Sequence, residues 1–302
     1  MNNRRPNRAV IQYTNLIRRF YKNTAPIVLG GIEASLRRIC HYDFWSNEIR
    51  RSILFDAKAD ILIYGMAEKT VVMLAHALKN NEPTKELPGL CYISKEKKRD
   101  YIALPSYNEV KTESDKFIEM FHIFYRNNNP ITAKGLYQKH DSRYLVQNPP
   151  ADYLSTKELD EIHNLEFERD LHPYYKQYGD VNALETIKYS IPTHRGCYGE
   201  CNFCAITVHQ GRTVRWRSKK SIIKEVEIIS DMPDFTGTIT DFGGPSANMY
   251  GYECEKKLKQ GSCQDKRCLY PEVCQGLKPN HSNLINLMKE LRRINGVKHI
   301  FT

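Results

Sequence analysis

Thr193-His194-Arg195-Gly196-Cys197-Tyr198-Gly199-Glu200-Cys201-Asn202-Phe203-Cys204 is the stretch on which the reading of this chain turns. Three residues separate the first two cysteines and two separate the last pair. Thiolates are the usual ligands of iron–sulfur clusters. Three of them in one loop can hold three corners of a cubane, which leaves one iron open to a small molecule. Gly196 and Gly199 let such a loop fold tightly. The competing reading is buried thiols or a zinc knuckle. Zinc wants four ligands, and His194 or His209 could supply the fourth.

The flanks of the loop read as alternating strand and helix. Ile187–Ile191 is a strand candidate ahead of it. Ser218 is a plausible N-cap for a helix to about Ser230, with Ile222, Ile223, Val226 and Ile229 on one face. Thr236–Phe242 is the next strand and ends at Gly243-Gly244-Pro245. After a cysteine-rich insertion, Asn283–Asn295 reads as a helix with Leu284, Leu287, Met288 and Leu291 buried, and Val297–Phe301 as a third strand. Three strands cannot close a barrel, so this part is expected to be truncated or to depend on residues beyond those given.

The first third carries a second α/β pattern. Pro26–Leu29 and Asp60–Tyr64 are short continuous apolar strands, closed by Gly30-Gly31 and Gly65. Helices are expected over about Glu33–Cys40 and over Glu68–Lys79, the latter with Val71, Val72, Leu74, Ala75 and Leu78 at helical spacing. Such strands imply a parallel sheet with helices packed on it. Leu90–Ser94 and Tyr101–Leu104, flanking the charged turn Lys95–Asp100, look like an edge hairpin. From Tyr107 to Ala183 the chain is polar and without clear strands. It has a helical stripe at Phe117, Met120, Phe121 and Phe124, a break at Pro149-Pro150, and capping-box spacing at Ser155 and Glu158. The expected division is residues 1–106, a connector 107–183, and 184–302 with an insertion at 251–280.

With 302 residues there is material for about two domains. Hydrophobic residues make up 41% and charged residues 26%, which excludes a broadly disordered chain. The formal net charge of +10 permits an acidic or nucleic-acid partner, but the charge is dispersed. Its densest run, Arg212, Arg215, Arg217, Lys219 and Lys220, reads first as a solvated basic face and second as attraction for an anionic ligand near the cysteines. The apolar runs Ala25–Ile32 and Ala59–Ala67 are far short of the roughly 20 residues of a membrane span. Met1–Arg8 has no apolar core of a secretory signal. Nine cysteines without such a signal fit metal or redox use in a reducing compartment, which places the protein in the cytoplasm.

The C-x3-C-x2-C spacing, with Phe203 just before the last cysteine, resembles the radical S-adenosylmethionine (radical SAM) superfamily. Gly243-Gly244-Pro245 resembles that superfamily's Gly-Gly-Glu-like motif, with proline where an acidic residue is usual. Pro26–Arg38 followed by His41-Tyr42-Asp43, together with Gly243–Tyr250, resembles the uncharacterised YgiQ-type radical SAM family over nearly the whole chain. The resemblance implies a Rossmann-like, cobalamin-binding-like N-terminal domain and part of a radical SAM (β/α) barrel. It implies a 4Fe-4S cluster on Cys197, Cys201 and Cys204, with S-adenosylmethionine held near Phe203, Gly243, Gly244 and Pro245. It also implies reductive cleavage to a 5′-deoxyadenosyl radical, fed by a low-potential donor such as flavodoxin or ferredoxin.

Cobalamin itself is not expected. The nearest match to an Asp-x-His-x-x-Gly motif, Asp170-Leu171-His172-Pro173-Tyr174-Tyr175, lacks the glycine. Cys254, Cys263, Cys268 and Cys274 could complete a second zinc or iron–sulfur site, with free thiols as the alternative. Cys40 and Cys91 read as core residues. Two other functions stay open: an RNA-modifying radical enzyme, although no RNA-binding module is seen, and a non-catalytic iron–sulfur or zinc protein. No substrate acid, base or hydrogen donor can be assigned.

Overall fold

Ile61-Leu62-Ile63 are buried at every position, as a strand with both faces covered must be. They form a central strand in one of two compact units of a computed structural model that describes residues 6–245, 247–251 and 253–302. One unit runs to Asp152 and takes in Gln260–Gln264. The other runs from Tyr153 to Lys259 and resumes at Asp265.

The first unit is mixed α/β. Its strands are β1 (Val28–Leu29), β2 (His41–Asp43), β3 (Glu48–Arg50), β4 (Ile61–Ile63), β5 (Leu90–Ser94), β6 (Ile102–Leu104), β7 (Leu136–His140) and β8 (Arg143–Gln147). Six of them make one sheet in the order β1-β4-β5-β8-β7-β6, while β2 and β3 pair as a separate ribbon. The parallel pairing expected for Pro26–Leu29 and Asp60–Tyr64 is present, with Val28 opposite Ile61. Elsewhere the sheet differs from the parallel one expected: β4–β5, β5–β8 and β7–β8 are antiparallel, and only β6–β7 is again parallel.

The expected edge hairpin of Leu90–Ser94 with Tyr101–Leu104 does not form. A hairpin of β7 and β8, turned at Asp141 with φ +54°, stands between those segments. This hairpin also corrects the strand-free reading of residues 107–183. Its inner face carries buried Gln138 and His140, so no apolar alternation marks it. Gln138 accepts the Cys40 N–H at 2.9 Å and donates to Pro105 O at 3.0 Å. The His140 ring stacks between Phe55 (4.5 Å) and Tyr107 (5.6 Å).

The Gly30-to-Arg38 phrase has a packing role. Its helix spans Gly31–Leu36, shorter than expected, and Ser35 Oγ accepts the Gly65 N–H at 2.9 Å, tying together the chain after β1 and after β4. Arg38 is fully buried, flanked at 4.3 Å by the rings of Tyr64 and Phe124, and donates to Gln147 Oε1 at 3.0 Å and Asn128 Oδ1 at 3.1 Å. The helix Glu68–Lys79 has the expected bounds. Cys40 and Cys91 are core residues, and burial pushes both thiols up to about 12.

The second unit contains β9 (Ser190–Pro192), β10 (His194–Arg195), β11 (Arg215–Trp216), β12 (Thr238–Ile239), β13 (Asp241–Gly243) and β14 (His299–Ile300). β9 pairs in parallel with β13, and β12 in parallel with β14. Since β12 and β13 follow one another, three parallel strands lie side by side. Ile187 is the end of a helix, Asn182–Ile187, and is exposed, so the first strand starts later than the apolar pattern suggested.

The expected caps hold: Ser218 accepts from Ser221 N–H at the start of Lys219–Ser230, and Ser155 and Glu158 form a capping box. Ile222, Val226 and Ile229 of the former helix meet Ile191, Ile239 and Phe242 of the strands, and Leu284, Leu287 and Leu291 of the helix Ser282–Leu291 join them. Each such side chain contributes about 1.5–3 kcal/mol on burial. No described helix is long and apolar enough to cross a membrane.

Candidate metal centre

The cysteine loop leaves the carboxyl end of β9, and the Gly-Gly-Pro turn leaves the carboxyl end of its neighbour β13. In α/β sheets this is where ligands bind. Thr193 N–H donates to Gly243 O at 2.7 Å, which joins the roots of the two loops.

The ribbon of β10 with β11 closes the base of the cysteine loop, pairing His194 with Trp216 and Arg195 with Arg215. Gly196 has φ +82°, and a Cβ there would stand 2.4 Å from Thr213 O, so only glycine fits this crossing. Cys197 N–H donates to Gly211 O at 3.3 Å, and Cys204 N–H to Cys201 O at 3.0 Å, which turns the last two cysteines back. Tyr198 is buried, and its hydroxyl accepts the Cys254 N–H at 3.1 Å. Burial pushes that phenol well above its usual range.

Gly199 lies between two of the sulfurs. Its N–H donates to Cys197 Sγ at 3.3 Å, and a Cβ would stand 3.3 Å from that sulfur and 3.5 Å from Cys201 Sγ. Cys197 is buried, Cys201 exposed and Cys204 half-buried. Phe203 is 92% exposed. Among the described residues, no three His, Cys, Asp or Glu side chains are gathered as the ligands of one metal ion would be. The thiolates of a cubane each bind a different iron, so a cluster does not ask for that convergence. The open cradle at Gly199, the amide aimed at a sulfur and the graded exposure of the thiols fit such a group.

The zinc alternative gave His194 or His209 as a fourth ligand. His194 is buried and directed elsewhere. Its Nδ1 lies 2.9 Å from Thr193 Oγ1, and its Nε2 lies 3.1 Å from Ala247 O and 3.3 Å from Met249 N. Burial lowers its pKa to about 4, so the ring is neutral. His209 ends the short helix Ile206–His209.

The two glycines of the turn face this chain's own side chains. A Cβ on Gly243 would meet Asn248 Oδ1 at 2.5 Å, and one on Gly244 would meet His194 Nε2 at 2.0 Å. Pro245 is half-buried. Ser246 and Tyr252 lie outside the described residues.

The basic run after the cysteines is largely neutralised and in part buried, which corrects its reading as a solvated face. Arg217 pairs with Glu225 at 2.5 Å and Arg212 with Glu200 at 3.5 Å, all four side chains being buried. Arg215 pairs with Glu253 at 3.6 Å, and Lys219 with Glu290. Composition counts charges but does not see their partners. For the same reason the sequence does not show that Lys257 joins Glu200 and Arg212 beside the cysteines.

Cys254 and Cys268 are buried and Cys274 half-buried in one apolar cluster with Cys197, Tyr198, Met249 and Leu277. Cys263 lies in Gln260–Gln264, which packs with the first unit. His172 caps the short helix Pro173–Lys176 by accepting from Tyr174 N–H. A cleft of about 570 Å³, lined by residues such as Lys188, Tyr189, Thr236 and Thr238, lies at the amino ends of the strands and includes none of the expected site residues.

The chain is 59% identical to a UPF0313 protein of Fusobacterium nucleatum over 100% of its length and 53% of that protein's. It is 48% identical to a UPF0313 protein of Thermotoga neapolitana over 99% of its length and 53% of that protein's. The chain therefore spans about half the length of the curated relatives it matches.

Among solved structures, the radical S-adenosylmethionine methyltransferase TsrM of Kitasatospora setae, with tryptophan and a SAM analogue bound, aligns at 19% identity. That alignment has a TM-score of 0.41 and covers 76% of this chain and 32% of TsrM, a likeness too slight to establish a common fold. The model of the family described as Radical SAM N-terminal matches residues 1–190, ending just ahead of the cysteine loop. With well over half of its length matched, the chain belongs to the Radical SAM N-terminal family.

Proposed function

We propose that this chain carries the cluster site of a radical SAM enzyme, with Cys197, Cys201 and Cys204 as the iron ligands. The observation that carries the reading is the Gly199 cradle: two cysteine sulfurs flank one glycine, whose amide points at the first of them, in a loop at the carboxyl end of a parallel strand. Family membership supports the same reading.

A bound cluster would supply one electron to S-adenosylmethionine, whose carbon–sulfur bond then breaks to give a radical that takes hydrogen from a substrate. The protein's own part is positional. Gly196 and the β10–β11 ribbon fix the loop ends. Exposed Phe203 offers an aromatic face to the cofactor's adenine. The Gly243-Gly244-Pro245 turn offers backbone polar groups to the methionine end, and His194 keeps it in register with the cysteine loop.

The finer assignment proposed is YgiQ-type. The first unit then corresponds to a cobalamin-binding-like domain used without cobalamin, and the second to the opening strands of a (β/α) barrel. A cytoplasmic enzyme fed by flavodoxin or ferredoxin completes the reading.

The test is anaerobic reconstitution of the whole protein, with dithionite as reductant and detection of 5′-deoxyadenosine. Release that disappears in Cys201→Ala is the expected result. A reconstituted cluster that never cleaves S-adenosylmethionine, or thiols that hold only zinc, would refute it.

A further inference from the structure

Glu200 sits between Cys197 and Cys201 with its backbone in the left-handed region, φ +51°. Its carboxylate is turned inward, with the side chain 4% exposed. Oε1 lies 3.2 Å from Lys257 Nζ, and Oε2 lies 3.5 Å from Arg212 Nη1. Lys257 is fully buried; it also donates to Arg212 O at 2.9 Å and lies 5.3 Å over the Tyr198 ring. The three residues come from the cysteine loop itself, from the segment that closes it, and from the helix Glu255–Gln260 of the insertion.

Charges are expensive to bury unless they are paired and hydrogen-bonded. A long, entropically costly lysine threaded into the interior to meet a carboxylate between two cysteines is therefore a specific arrangement. The triad sets one negative and two positive charges beside thiols whose ligating form is anionic. In a poorly solvated interior each of these charges acts at longer range than on the surface.

We propose that Glu200, Arg212 and Lys257 form an electrostatic positioning device that holds the Cys197–Cys201 turn in its ligating shape and sets the reduction potential of the centre bound there. This rests on the cluster reading above. Reduction adds an electron. Removing the nearby carboxylate favours the reduced state and raises the potential. Removing the ammonium lowers it. A purely structural contact would not give shifts of opposite sign.

The test is potentiometric EPR titration of the whole protein, reconstituted anaerobically with iron and sulfide, in the wild type, Glu200→Gln, Lys257→Met and Lys257→Arg. The expected result is an upward shift for Glu200→Gln, a downward shift for Lys257→Met and a wild-type value for Lys257→Arg. Loss of iron to a chelator should be about tenfold faster in the first two, since each leaves a buried charge poorly paired.

A wild type that takes up no iron sinks the cluster reading. A wild type that does so, with Glu200→Gln and Lys257→Met unmoved or shifted in one direction, sinks the triad alone. Should Lys257→Met not fold, Glu200→Gln decides: an upward shift supports the proposal, and no shift or a failure to fold contradicts it.

Discussion

The imidazole of His194 occupies the space that a side chain on Gly244 would need: a Cβ there would stand 2.0 Å from Nε2. One residue follows β9 and the other follows β13, so the contact locks the two loops that flank the candidate centre. Gly244 is therefore required by an internal neighbour, before any cofactor is considered.

Gly244→Ala should displace the His194 ring and loosen its contacts with Ala247 and Met249. Overpacking of this kind costs about 1–3 kcal/mol. Thermal melting should show it, and a cycle with His194→Ala should show strong non-additivity. Additive effects would mean that the two loops are not coupled through this contact.

Gly199→Ala should leave the fold intact and weaken iron retention by about tenfold or more, because the added methyl presses on Cys197 Sγ and Cys201 Sγ. Iron and sulfide content after anaerobic desalting measures it. Wild-type retention would show that the cradle is not where the cluster sits.

Phe203→Ala should change stability by no more than about 0.5 kcal/mol, as expected for a surface position. At 92% exposed, the ring contributes nothing to the interior. Binding of S-adenosylmethionine to the reconstituted protein should weaken about tenfold, read by equilibrium dialysis. Unchanged binding would remove Phe203 from the cofactor site.

Acid should destabilise the first unit through His140. Burial, with a smaller contribution from the Arg51 charge, lowers its pKa from 6.5 to about 3. The folded state thus refuses a proton that the unfolded chain accepts below about pH 6.5. The stabilisation is full above that pH and is lost as pH falls toward 3. Between pH 7 and pH 5 the loss should be about 2 kcal/mol. His140→Phe, which keeps the stack with Phe55 and Tyr107, should flatten the pH dependence of the melting temperature. An unchanged slope would place the sensitivity elsewhere.

The sequence made some features easy to see and hid others, for physical reasons. Ile61–Ile63 and the Lys219–Ser230 helix announce themselves because their cores are apolar and their caps local. Strand β7 does not, because Gln138 and His140 fill its inner face and are satisfied by partners far along the chain. The hairpin expected from Leu90 to Leu104 failed because strand order is set by long-range pairing, which local pattern does not encode. At the candidate centre, spacing singled out Cys197, Cys201 and Cys204. Nothing in the spacing revealed that Lys257, 57 positions beyond Glu200, would meet it in the interior. Nor could composition show that Arg212 and Arg217 are buried against glutamates.

The most direct measurement is Mössbauer and EPR spectroscopy of the anaerobically reconstituted protein, with and without S-adenosylmethionine. The expected result is a 4Fe-4S cluster with one iron distinct from the rest, an EPR signal that changes when S-adenosylmethionine is added, and loss of both in Cys201→Ala. A single zinc ion held by Cys197, Cys201 and Cys204 with a fourth ligand, and no cluster, would contradict it.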